Sequence, residues 1–122
     1  MPRVIHFEIP ADNPERAAKF YKKVFNWEIN MWAGPVKYWL VKTGEDKEPG
    51  INGAITEKSA NVKVTTNTIS VASYEDAVKK IVEAGGKVLM PKMAVPGVGY
   101  MTYCLDTEGN VFGIMQNDPN AK

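Results

Sequence analysis

The chain has 122 residues, 44% hydrophobic and 24% charged, a globular composition at a length near that of one domain, which excludes a multidomain machine. Fifteen Lys and Arg against fourteen Asp and Glu leave a formal charge of +1 without a one-signed run. That balance argues against nucleic acid and anionic membrane surfaces as partners.

In chain order, Val4 to Ile9 alternates as a strand, with Ile5, Phe7 and Ile9 on one face and His6 and Glu8 on the other. Pro10 is expected to stop it. Asp12-Asn13-Pro14-Glu15 has the form of a helix start, and a helix to about Val24 follows, with Ala17, Phe20, Tyr21 and Val24 as its apolar stripe. Three strands are expected next, over 27–32, 38–43 and 52–57, separated by Gly34-Pro35 and by the polar loop Gly44 to Gly50.

The pattern then restarts. Val64 to Val71 is a strand that puts Thr66, Thr68 and Ser70 on one face. Ser73 can cap a helix to about Ala84, and Gly85-Gly86 ends it. Strands over 87–90, 99–105 and 111–116 complete the chain, the last two joined by a hairpin loop at Asp106 to Asn110. A shift of 60 residues overlays Ile9 on Ile69, Glu15 on Glu75, Ala17 on Ala77 and Gly53 on Gly113. The chain therefore reads as one α+β domain, 1–122, duplicated internally into β-α-β-β-β modules of about 1–60 and 61–122.

The longest charge-free stretch, the 13 residues Met93 to Leu105, is well short of the ~20 a membrane helix needs. Cys104 stands alone, so no intrachain disulfide forms, and Met1-Pro2-Arg3 leads directly into a strand without an apolar leader. A cytoplasmic location is expected.

Ile5-His6-Phe7-Glu8-Ile9-Pro10, Ala17-Ala18-Lys19-Phe20-Tyr21, Ala84-Gly85-Gly86-Lys87-Val88 and the closing run from Val95 to Gly113 together resemble the vicinal oxygen chelate superfamily, in its small glyoxalase and bleomycin-resistance subgroup. The resemblance implies two curled sheets forming a cup with the helices outside. It also implies homodimers and, in metal-dependent members, a divalent ion bound by the first and last strands of each module. The matching positions here are His6, Thr66, Gly53 and Gly113. Of these only His6 is a strong ligand, since glycine has no side chain and a threonine hydroxyl binds transition metals weakly. No cofactor is implied, and a divalent metal is the disfavoured alternative.

His6 can serve as a general base or pocket hydrogen-bond group, or sit neutral inside the sheet; Glu8, on its face, can raise the His6 pKa, act in acid–base chemistry or remain an edge carboxylate. Thr66, Thr68, Trp32, Tyr38, Tyr100 and Met115 are candidate ligand contacts of an aromatic-lined cup. Cys104 reads as an inert buried thiol. Two functions fit these residues. One is a protein binding a small aromatic or apolar ligand without the usual metal site; the other is a lyase, isomerase or dioxygenase-like enzyme using His6 with Glu8.

Overall fold

The computed structural model describes residues 2–34 and 36–122. Met1 and Pro35, the latter part of the Gly34-Pro35 connector, lie outside them. The fold is α+β, and the chain divides into two compact units: His6–Thr66, and Asn67–Lys122 with the first residues of the chain.

In the first module, α1 (Pro14–Phe25) begins where the sequence places it. The Asn13 side chain accepts the Arg16 N–H at 3.1 Å, Pro14 occupies the first turn, and Asn26 ends the helix in the left-handed region at φ 59°. Four strands pair in the order β2 (Glu28–Met31), β3 (Tyr38–Lys42), β4 (Asn52–Glu57), β1 (Arg3–Ala11); β1 and β4 run parallel, the others antiparallel. One face of this sheet packs on the helix. Ile29, Trp39, Val41 and Ile55 meet Ala18 there, with Phe7, Ile9, Ala17, Tyr21 and Trp27 packed around them. Each large side chain buried so completely stabilises the fold by roughly 1.5–3 kcal/mol.

Two expectations are corrected here. β1 does not stop at Pro10: the ladder continues through Pro10↔Thr56 and Ala11↔Glu57, and the Ala11 carbonyl accepts the Lys58 N–H at 3.3 Å. Proline gives up only its own N–H, and its carbonyl still serves the strand. The buried stripe of α1 is Pro14, Ala17, Ala18 and Tyr21, while Phe20 and Val24 are 56% and 54% exposed. The stripe thus lies three positions earlier in the chain, about 60° around the helix from the expected one, with two small alanines at its centre.

In the second module, β5 (Thr66–Ser70) is followed by α2 (Tyr74–Glu83), β6 (Lys87–Val88), β7 (Met93–Val95), β8 (Gly99–Leu105) and β9 (Val111–Asn117). The strand order is β5-β9-β8-β6, with β7 also pairing on β8. Ser73 caps α2 through the Asp76 N–H at 3.2 Å, and Gly85 turns the chain away at φ 97°. The strand expected at 87–90 is shortened to Lys87–Val88, and a further short strand that the sequence did not mark follows at Met93–Val95. Between them, the Met90 carbonyl accepts the Thr102 hydroxyl at 2.7 Å. Tyr74, Cys104 and Ile114 form this module's core with Val71, Ala77, Val78, Ile81, Val88 and Phe112. No described helix is long and apolar enough to cross a membrane.

Candidate functional site

The first module's sheet has a second face, turned away from α1. A strand alternates its side chains, so the pairing register assigns this face without ambiguity. One row crosses the sheet through Glu28, Lys42, Asn52 and His6; the next passes through Asn30, Leu40, Ala54 and Glu8. Tyr38 begins a third row, opposite Thr56.

His6 Nε2 and Tyr38 Oη are 2.7 Å apart and share a hydrogen bond; their rings lie nearly parallel, 10° apart in plane. The two residues sit on β1 and β3, with β4 between them. The intervening side chain is Ala54, fully buried, whose single methyl group leaves room for the pair to close over it. Burial pushes the His6 pKa below its usual 6.5, since a low-dielectric surrounding disfavours the imidazolium. A neutral imidazole at neutral pH, with one nitrogen engaged by a phenol, can accept or relay a proton. Trp32 packs edge-to-face on Tyr38 with ring centroids 5.9 Å apart, and its indole lies over Gly34. Glu8 is buried at 4% exposure beside Ala54.

A cavity of about 370 Å³ opens on this face, lined by His6, Glu28, Asn30, Leu40, Lys42 and Asn52, with Val41, Gly53 and Asp46. The size falls within the range for small-molecule sites. Asp46 comes from the loop 43–51, which is fastened at its ends: the Thr43 hydroxyl donates to the Ile51 carbonyl at 2.7 Å, and the Thr43 N–H to Asn52 Oδ1 at 3.0 Å. Sequence reasoning misses Glu28, Asn30, Leu40, Lys42, Asp46 and Asn52. For the five strand residues the signal is the even-numbered phase they share on paired strands, visible only once the pairing is known; Asp46, in the loop, carries none.

The structure brings His6, Tyr38 and Trp32 together in the first module. In the second, Thr68, Gly113 and Met115 share one face, since Thr68 pairs with Gly113 and Ser70 with Met115. Thr66 is 1% exposed and donates its hydroxyl to the Val64 carbonyl at 2.8 Å. Tyr100 does not belong with these. It lies opposite Gln116, on the face of Cys104 and Ile114 that packs on α2. There Lys92 Nζ caps it at 4.6 Å from the ring centre while bonding Glu75 at 3.0 Å, a hydrogen bond that raises the ammonium pKa. The Cys104 thiol, also on this core face, is pushed up to about 11 by burial, which suits an inert side chain.

Gly53 is likewise misplaced by the 60-residue shift. It pairs with Phe7 and Val41, on the helix side, whereas the residue opposite Glu8 is Ala54, as Gly113 is opposite Thr68. The closing strands are thus offset by 59 residues, one fewer than the opening strands. With that correction, the positions that the resemblance matches to metal ligands hold His6, Ala54, Thr66 and Gly113, of which only His6 is a strong donor, its Nε2 already bonded to Tyr38. This donor set does not fit a family-type divalent ion. Among the described residues, no group of three His, Cys, Asp or Glu is placed to hold a metal.

The backbone has close counterparts among solved structures. A hypothetical protein from Bacillus halodurans C-125 superposes with TM-score 0.72 at 14% identity, covering 98% of this chain and 97% of that one. A variant methylmalonyl-CoA epimerase from Streptomyces coelicolor, in complex with 2-nitronate-propionyl-CoA, gives TM-score 0.71 at 13% identity over 100% and 99%. Methylmalonyl-CoA epimerase from Mycobacterium tuberculosis gives 0.67 at 10% identity over 95% and 88%. At such identities these similarities describe fold alone, and no curated protein sequence matches the chain. The sequence itself carries the family: the profile of the Glyoxalase/Bleomycin resistance protein/Dioxygenase superfamily matches residues 3–114. With one β-α-β-β-β module, a second that adds the short strand β7 to the same plan, and a profile spanning nearly its whole length, this chain belongs to that superfamily.

Proposed function

We propose that the protein binds a small organic molecule on the His6 face of its first module, without a metal held at the family's usual positions. The observation that carries this reading is the cavity of about 370 Å³ with His6 in its wall and the His6–Tyr38 pair beside it. Six of its nine lining residues carry amide, charged or imidazole groups while most of its exposed surface is apolar, which supports a ligand with both polar groups and an apolar body; Trp32, packed on Tyr38, supplies an aromatic neighbour. A cytoplasmic homodimer completes the reading. The closed twofold pair is the commonest assembly, and light scattering at about twice 13.5 kDa is its test.

The binding experiment is amide NMR with a fragment library. Shifts clustered on His6, Asn30, Leu40 and Asn52 are expected; a library that perturbs only residues elsewhere overturns the reading. Metal analysis of tag-free protein tests the other half. Stoichiometric Zn, Ni, Mn or Fe that is lost on His6→Ala would sink it.

The 2.7 Å contact favours a second reading, an enzyme of this superfamily in which His6, with Glu8 in the next row, moves a proton. Neutral His6 would take a proton from a carbon acid or hydroxyl, and Tyr38 would hold the other ring nitrogen in place. Deuterium incorporation from solvent into a bound 2-oxo or acyl compound, lost in His6→Ala, is the expected sign.

A further inference from the structure

We infer that the ligand of this cavity is a small zwitterion, carrying an ammonium and a carboxylate on neighbouring carbons beside a short apolar group. The inference rests on the binding reading above and deepens it. Three charged side chains line the cavity: Glu28 from β2, Lys42 from β3 and Asp46 from the following loop. None of the three forms an ion pair among the described residues, although Glu28 and Lys42 are direct cross-strand partners.

Cross-strand β-carbons lie about 4.5–5.5 Å apart, so Glu28 and Lys42 leave the sheet next to one another at the cavity wall, while their charged ends do not close into an ion pair. Long exposed side chains gain little from pairing with one another, so both remain available to a ligand. A molecule with a single charge would satisfy one of them and leave the other facing it with the wrong sign. A molecule with both charges on adjacent carbons matches both.

The second polar layer follows the same division. Asn52 Oδ1 already accepts the Thr43 N–H, and its NH2 group adds a donor in the row of Lys42 that suits a carboxylate. Asp46 adds a second acceptor to Glu28 for an ammonium, whose three N–H donors need more than one partner. Leu40, in the next row, is 44% exposed and is the apolar spot available to a short hydrocarbon substituent.

The test uses one isobutyl group with three sets of charges: leucine, 4-methylpentanoate, which lacks its ammonium, and 3-methylbutylamine, which lacks its carboxylate, titrated into the full chain while the amide signals of Asn30, Leu40 and Asn52 are followed. Leucine is expected to bind at least about tenfold more tightly than either analogue. Lys42→Gln should abolish its advantage over the amine, and Glu28→Gln combined with Asp46→Asn its advantage over the acid. All three side chains are exposed, so these variants fold. If the acid or the amine binds within about twofold of leucine, or if the preferences survive the substitutions, the inference is overturned while the binding reading stands. If none of the three compounds, nor any neutral fragment, moves these signals, the binding reading fails with it.

Discussion

The Phe7 ring lies over Gly53, its parallel partner in β4, with Cγ only 2.6 Å from where a β-carbon would stand and the Phe7 carbonyl closer still. The backbone oxygen cannot step aside, so Gly53→Ala must push two paired strands apart. At Gly113 the equivalent β-carbon would meet the Thr68 hydroxyl at 2.9 Å, a group that can rotate. Gly53→Ala is therefore expected to cost about 3 kcal/mol or more, at the upper end for overpacking, and Gly113→Ala under about 1.5 kcal/mol. Urea denaturation measures both. Adding Thr68→Ala should remove most of the Gly113→Ala cost, a coupling a double-mutant cycle detects.

Ala54 governs whether His6 and Tyr38 meet. Ala54→Leu would fill the space above β4 that the two rings close over, separating them. The expected readout is a His6 pKa, followed by NMR, that rises toward the usual 6.5 as the ring is displaced into water. Tyr38→Phe keeps the packing and removes only the hydroxyl, so a smaller loss is expected, about 0.5–1.5 kcal/mol.

His6 makes stability depend on pH with a definite sign. Its folded pKa lies below the unfolded 6.5, so the unfolded chain binds the proton more readily. Stability is full above 6.5 and is lost as pH falls from there through the folded value, then levels off. Because this is the only histidine, His6→Gln should flatten the Tm profile between about pH 7 and pH 5. A wild-type profile with no downward slope on acidification would count against the buried neutral ring.

The two aromatic neighbours on α1 should respond unequally. Tyr21 packs into the core and stacks on Trp27 with centroids 5.0 Å apart, while Phe20 is mostly exposed. Tyr21→Ala is expected to destabilise by about 2 kcal/mol or more, and Phe20→Ser by under about 0.5 kcal/mol. Thermal melts of the two variants distinguish this helix orientation from one that buries Phe20.

Local chemistry is legible in the sequence wherever it is self-contained. Asn13, Ser73 and the Gly85-Gly86 pair mark both helices by groups only a few residues apart, and His6 and Glu8 share a face because β1 alternates cleanly. Tyr100 is misplaced from sequence because β8 does not alternate. Thr102 is a fully buried polar residue on the core face, satisfied by the Met90 carbonyl, so apolarity gives no phase there and pairing with β9 decides. Phe20 and Val24 mislead because α1 is apolar over more than one face, and only the sheet selects which face is used. The cavity's charged lining is invisible for a related reason: Glu28, Lys42 and Asp46 are ordinary surface residues until β2, β3 and their loop are set beside one another.

The missing residue between the opening and closing strands of the second module has a practical consequence for anyone rebuilding this scaffold. Side chains transferred between the modules at a constant spacing end up on the wrong side of the sheet after the helix. A carboxylate grafted at position 53 would be driven beneath the Phe7 ring, whereas the same graft at position 54 would emerge beside Glu8, one row from His6. Restoring a metal centre to such a chain is thus a question of parity before it is one of ligand chemistry.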